Sequence, residues 1–304
     1  MQAVFDQIGD KMGMKRKIKD ILAAVVYFLY EKGILHNTIR VHSIDETLDE
    51  LIKTEKSMVR FGDGEILMIK GGSLVLQKAS PEIGEGLSEI LGYQYDDLMV
   101  TIPDVFVSLS EHRKESRQFW RDHLLFCRKV YRRYCNPDRI YGSTFLSRCY
   151  YFVEDKKDCG RWFAKVRKIW ENKEIVVVEG SRTHNGVGND LLDPAAGVER
   201  IICPPSDAYG ALDRILAACE QFDKSKMFLI SAGVAAKFLA LELFRKGYRV
   251  VDIGNLDMEY EWFLRKADRK IPLEKHEIVE EEANRAAGYD TYLQQIKYRI
   301  QDTA

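Results

Sequence analysis

The segment Arg60-Phe61-Gly62-Asp63-Gly64-Glu65 sets two carboxylates two residues apart, between glycines, directly after the strand-like run Ser57–Gly62. In an extended stretch, residues i and i+2 face the same side. Asp63 and Glu65 so placed would hold one divalent cation through hard oxygen ligands. Gly62 and Gly64 permit unusual backbone angles and close ligand approach. Arg60 would make forked bonds to a phosphate. The bland alternative is a turn with two solvated acids.

Three further segments carry functional groups. Glu179-Gly180-Ser181-Arg182-Thr183-His184-Asn185-Gly186-Val187-Gly188-Asn189-Asp190 follows the apolar run KEIVVVE. Its glycines and backbone N–H groups suit an anion, with Arg182 as counter-charge and a helix expected near Asn189. It matches neither G-x-G-x-x-G nor G-x-x-x-x-G-K-[ST], so the usual dinucleotide and P-loop readings fail; a long polar connection is the alternative. In Asp252–Tyr260, Asp257 and Glu259 are candidate general bases, or Asp257 caps a helix starting near Met258. In Cys203-Pro204-Pro205-Ser206-Asp207-Ala208, two prolines make a rigid turn. There Asp207 either caps a helix or helps line a base or ribose pocket.

These groups need strands to carry them. KEIVVVE (173–179), KMFLIS (226–231) and YRVVDI (248–253) are continuous apolar runs, as expected of strands buried on both faces. Between the last two, AAKFLALELFRK (235–246) has helical spacing, and Gly247 closes it. Strand, helix and strand in so short a span make a βαβ unit, hence a parallel sheet. The fold class is α/β, with ligands expected beyond the carboxyl ends of the strands. Helices are expected over 1–35, 43–55 (Ser43 or Asp45 as cap), 80–98 and 111–134. The tail 277–304 starts acidic, with Glu277, Glu280, Glu281 and Glu282. It is expected to continue as a helix carrying Tyr292, Leu293, Ile296 and Ile300.

The 304 residues allow about two domains, but the chemistry-bearing blocks run from 60 to 260 without a break. The expected organisation is an N-terminal helical segment (1–42), one catalytic domain (43–276) and a C-terminal helical extension (277–304). Lys+Arg (46) nearly cancel Asp+Glu (47), which gives no support to a nucleic-acid binder. The six cysteines show no C-x-x-C pair and read as reduced thiols of a cytoplasmic protein. Residues 111–133 hold eight basic against three acidic side chains, a solvated helix face or a platform for an anion. Lys15, Arg16, Lys17 and Lys19 precede ILAAVVYFLY (21–30), which is too short to span a bilayer. That segment docks on the body or on a second copy as a homodimer contact. Alternatively, residues 15–30 lie at the inner face of the membrane as an interfacial helix.

The ordered set of blocks resembles the GT-D fold bacterial glycosyltransferases, a family first described as a domain of unknown function and using a D-x-E metal motif. The blocks are Arg60–Glu65, Thr144-Phe145-Leu146-Ser147-Arg148, Glu179–Leu191, Cys203–Ala208, the βαβ unit and Asp252–Tyr260. Together they cover roughly residues 45–265. The chain departs from the family pattern at Ala232-Gly233-Val234-Ala235, where Gly-Pro-Thr-Ala is common, and at Asp207, where Asn is expected.

The resemblance implies a Rossmann-like, mainly parallel sheet flanked by helices. It implies transfer of a hexose, glucose or a relative, from a UDP-sugar to a growing glycan of a surface polysaccharide or glycoprotein, with inversion. Asp63 and Glu65 would then hold Mn²⁺ or Mg²⁺. Arg60, Gly62, Gly64, Arg182, Gly186, Gly188, Asn189, Asp190, Ser206 and Asp207 are the candidate donor-binding residues. Two rival readings share the same groups: a metal-dependent phosphoesterase or nucleotide hydrolase, and a non-catalytic sugar-nucleotide-binding scaffold.

Overall fold

The computed structural model describes residues 2–35, 38–93, 95–273, 275 and 288–301. The acidic stretch with Glu277, Glu280, Glu281 and Glu282 lies outside the described residues. The chain opens with α1 (Gln2–Glu31), β1 (Arg40–Val41), α2 (Ile44–Thr54), β2 (Ser57–Arg60) and α3 (Asp63–Ile69). There follow α4 (Pro81–Leu91), β3 (Leu98–Ile102), α5 (Lys114–Tyr134), β4 (Ile140–Ser143) and α6 (Cys159–Lys168). The second half comprises β5 (Glu174–Gly180), β6 (Gly197–Cys203), α7 (Leu212–Cys219), β7 (Met227–Ser231), α8 (Ala235–Arg245) and β8 (Val250–Asp252). It closes with α9 (Leu256–Leu264), α10 (Tyr289–Gln295) and β9 (Ile296–Arg299).

The nine strands of the described residues form one sheet in the order β1-β4-β3-β2-β8-β7-β5-β6-β9, and every pairing among them is parallel. Alternation along each strand divides the core in two, because successive side chains leave opposite faces. Val59, Val176, Val178, Phe228 and Ile230 pack on one face with α4, α5, α7 and α8. Met58, Ile175, Val177, Leu229 and Val251 pack on the other with α2, α6 and α9. The result is a three-layer α/β/α molecule, as the apolar runs require.

Local signals explain most boundaries. Ser43 accepts from the Glu46 N–H while the Glu46 carboxylate accepts from the Ser43 N–H, a reciprocal cap on α2. Gly247, at φ +86°, follows α8 in the left-handed conformation that ends it. All six cysteines are free and buried.

Four expectations are corrected. The helix expected over 80–98 stops at Leu91, and Leu98 already opens β3. No helix begins near Asn189: β5 passes to its neighbour β6 through a chain of turns. The tail helix ends at Gln295, and Ile296–Arg299 adds a strand beside β6. The D-x-E segment is not extended, because Asp63 and Glu65 lie in the first turn of α3.

Candidate active site

The carboxyl ends of β2, β4, β5, β6, β7 and β8 open into one cavity of about 1240 Å³. This is where an open parallel sheet collects ligands. Arg60, Gly62, Asp63, Gly64 and Glu65 line it, at the end of β2, which pairs with both β3 and β8, and in the first turn of α3.

Asp63 and Glu65 have unlike surroundings. On a helix, residues two apart do not share a face, and the two carboxylates diverge accordingly. Asp63 is exposed to the cavity. Partial burial and the adjacent charge of Glu65 push its carboxyl above the usual range. Glu65 turns inward and is 6% exposed. Its Oε2 accepts the Gly62 N–H at 2.7 Å, and its Oε1 lies 3.0 Å from Lys237 Nζ. Burial opposes its ionisation, but Lys237 and Arg60, helped by the Gly62 N–H, outweigh that and hold its carboxyl below the ordinary value. Lys237 also pairs with Asp252 Oδ2 at 3.1 Å. Thus a buried lysine of α8 ties the ends of β2 and β8 together. Sequence reasoning missed Lys237; its signal is a single cation on the apolar face of AAKFLALELFRK.

Arg60 is 9% exposed. Its backbone N–H donates to Asp252 Oδ2 at 3.3 Å, and its Nη1 lies 3.4 Å from Thr144 Oγ1. Its buried Nε has no partner among the described residues. Gly254 packs against this guanidinium so closely that a Cβ there would sit 2.4 Å from Nε. A planar cation with a spare buried donor at the floor of a cavity is suited to an oxyanion.

The other predicted residues divide by location. Arg182, Ser206 and Asp207 line the cavity. Asp207 occupies the N-cap position of a short 3-10 turn, Ala208–Ala211, at φ +49°, but its side chain makes no capping bond; its carboxylate accepts Gln77 Nε2 at 2.5 Å. The Leu76 carbonyl accepts the Asp207 N–H. Segment Leu74–Gln77, not anticipated from sequence, also lines the cavity and is thereby tied to the turn after β6.

Gly186, Gly188, Asn189 and Asp190 are not among the cavity-lining residues, and Gly186, Asn189 and Asp190 bond to protein groups. The Gly186 N–H and Asn189 Nδ2 both donate to Asp257 Oδ1. Asp190 accepts from Tyr260 and pairs with Arg167.

Asp257 and Glu259, expected as bases, are buried behind the wall. Asp257 is 1% exposed and meets Lys275 at 2.7 Å. It lies inside α9, whose N-cap position is Asn255. Glu259 is fully buried and accepts the N–H groups of Tyr150 and Tyr151 at 3.0 and 2.8 Å. Burial raises its carboxyl, against the pull of Arg148. Their placement makes them anchors of neighbouring loops rather than groups that reach a substrate.

Residues 58–281 match the family model described as glycosyltransferase GT-D fold. The chain belongs to the GT-D glycosyltransferase family. It is 36% identical over 290 residues to the glycosyltransferase GlyD of Streptococcus pneumoniae serotype 4, covering 94% of this chain and 35% of that protein. It is 39% identical over 243 residues to the probable glycosyl transferase Gly of Streptococcus gordonii, covering 80% of this chain and 36% of that one. The chain therefore spans about a third of the length of these curated relatives.

Among solved structures, it is similar to a glycosyltransferase (domain of unknown function 1792) from Streptococcus sanguinis. That likeness has TM-score 0.80 and 38% identity, over 86% of this chain and 100% of that one. A second structure of domain 1792, described as a distinct glycosyltransferase fold, superposes with TM-score 0.81 at 32% identity, over 93% and 100% of the two chains. The resemblance read from the ordered blocks, and the α/β class read from the apolar runs, are both borne out.

Proposed function

We propose that this GT-D chain transfers a hexose, glucose or a close relative, from a UDP-sugar to a growing bacterial glycan, with inversion and with Mn²⁺ or Mg²⁺. The observation that carries this reading is the open carboxylate of Asp63 and the buried Nε of Arg60, unpartnered among the described residues, which line the same cavity.

The residues fit a cation of this class. No cluster of three or more His, Cys, Asp or Glu side chains suited to a metal occurs among the described residues. A site with one or two carboxylates, completed by water and substrate phosphates, is the usual form for Mg²⁺. Asp63 would supply the main ligand. Glu65 has two of its lone pairs committed and others left. The like charge that raises the Asp63 carboxyl is what a cation relieves. When bound, the metal supplies charge stabilisation to the diphosphate leaving group. Arg60 adds a fixed donor to that group, and Arg182 adds an exposed charge from the β5 side. Pro204–Asp207 forms a rigid wall suited to the nucleoside.

The test is thermal shift with UDP in the presence and absence of Mn²⁺, followed by assay of sugar release from UDP-glucose. Metal-dependent stabilisation by UDP with slow sugar release is expected. No nucleotide effect on the folded protein overturns the proposal. Release of phosphate from a nucleotide in its place favours the hydrolase.

The N-terminal helix adds a proposal about placement. Helix α1 docks on α5 through buried Ala23 and Tyr27, with Lys19 Nζ 2.5 Å from Asp122. Its opposite stripe, Ile18, Ile21, Leu22, Val25 and Phe28, is at least half exposed, beside exposed Arg16 and Lys17. No described helix is long and apolar enough to cross a membrane. We assign this stripe to an anionic lipid surface. Flotation with phosphatidylglycerol vesicles is expected for the wild type and lost in Leu22→Glu/Val25→Glu. Equal flotation of the two overturns the assignment, and a wild-type dimer that the double variant dissociates points to a second copy.

A further inference from the structure

The cavity extends beyond Asp63 and Arg60, and its lining differs chemically on the two sides of β2. Strand order places β4 and α5 on one side of β2, and β5 and β6 on the other. The β5–β6 end carries Arg182, Ser206 and Asp207. The opposite end is an aromatic wall. Phe119 packs edge-on against Trp120 at 5.0 Å between ring centroids, and Trp120 packs against Phe145 at 5.5 Å. Phe152 meets Phe145 at 6.3 Å and Tyr151 at 5.5 Å. Lys270 Nζ lies over the Tyr151 and Phe152 rings at 5.0 and 5.7 Å.

Two features of this wall call for a ligand. Phe119 lines the cavity yet is 44% exposed, although α5 has a well-filled apolar face in Trp120, Leu124 and Tyr131. Glu115, one helical turn before it, also lines the cavity. It makes no hydrogen bond or ion pair among the described residues. An apolar ring and a carboxylate four residues apart on one helix face the same side.

We infer that this wall is the acceptor subsite, which binds a pyranose with its C–H face on Phe119 and Phe152 and one hydroxyl on Glu115. The inference rests on the glycosyltransferase reading above. Aromatic faces are electron-rich, and the C–H bonds along one face of a pyranose are weakly positive. Sugars also need a few placed polar groups for their hydroxyls, which Glu115 and Lys270 supply. The position follows from the chemistry of displacement. With the diphosphate at Asp63 and Arg60, the nucleoside fills the β5–β6 end. An incoming hydroxyl must approach the anomeric carbon from the side away from the leaving group. That side is the α5 wall.

The full chain serves for the test, with methyl β-glucoside and p-nitrophenyl β-N-acetylglucosaminide as probes. Saturation-transfer NMR is expected to show the glycosides on the wild type and to lose the signal in Phe119→Ala. Phe119→Trp is expected to restore it. In transfer assays, Phe119→Ala and Glu115→Gln are expected to raise acceptor KM about tenfold. UDP-induced thermal shift and sugar release to water should remain within about twofold of wild type.

Unchanged glycoside signal and acceptor KM in both variants overturn the subsite. Loss of the UDP shift in Phe119→Ala also overturns it, since the wall would then hold the base. A wild type without UDP shift or sugar release, whose glycoside signal still depends on Phe119, sinks the UDP-sugar reading and leaves a sugar site.

Discussion

At the residue scale, Asp63 and Glu65 separate into different jobs. The spacing made them look equivalent, and the first turn of α3 makes them unequal. Glu65 is a structural anion whose removal takes from Lys237, a lysine 1% exposed, one of its two carboxylate partners and leaves it Asp252. Breaking a buried pair by deleting one partner is far more damaging than replacing both. Glu65→Gln is therefore expected to cost about 2–4 kcal/mol in urea unfolding. Asp63→Asn removes a carboxylate that burial and Glu65 already disfavour, so stability should hold within about 1 kcal/mol. The same variant should abolish the Mn²⁺-dependent shift. If Asp63→Asn keeps full metal response, the ligand assignment fails. The pair was legible in the sequence as acids near glycines. Its division of labour was not, because Lys237 arrives from a helix about 170 residues away.

At the element scale, two loops are held in register by buried acids of α9. Asp257 secures the β5–β6 connection through Gly186 and Asn189, and Glu259 secures Tyr150 and Tyr151. The sequence marked both acids as functional because they follow a strand end. It could not show that their side chains point away from the cavity. The β8–α9 turn is where backbone and site meet. Gly254 has φ +51° and gives its Cβ space to Arg60. Gly254→Ala meets both penalties. The left-handed conformation costs an alanine about 1–2 kcal/mol, and the guanidinium must move from its bed. We expect a modest loss of stability and, on the proposed reading in which Arg60 donates to developing charge, a fall in kcat/KM of about tenfold or more. Stability lost with kcat/KM intact would show that Arg60 does not need this position.

At the scale of the whole molecule, the parallel sheet was legible because apolar runs buried on both faces have few other solutions. The edge strand Ile296–Arg299 was not, since IKYR has no such run and is placed by pairing with β6. The same packing that builds the layers sets how the molecule responds to acid. His112 and His123 flank the start and middle of α5, among Phe145, Trp120 and Tyr131. Burial lowers each to about 4.

A histidine whose folded value is depressed contributes stability above its unfolded value of about 6.5, and loses it as pH falls toward the folded value. Asp104 has the opposite sign. Burial, with Glu111 and Glu46 nearby, raises it to about 6. The folded state therefore takes up this proton first, and stability rises as pH falls from about 6 to 4. Asp63 and Glu259, raised in the same sense, join Asp104 in offsetting part of the loss that the two histidines cause. The melting temperature should fall between pH 6.5 and 4.5, before carboxylates held low, such as Glu55 and Glu65, begin to protonate. His123→Phe should flatten that slope, and Asp104→Asn should steepen it by removing the compensating uptake. A slope unchanged in both variants would mean that the acid response originates outside α5 and its neighbours.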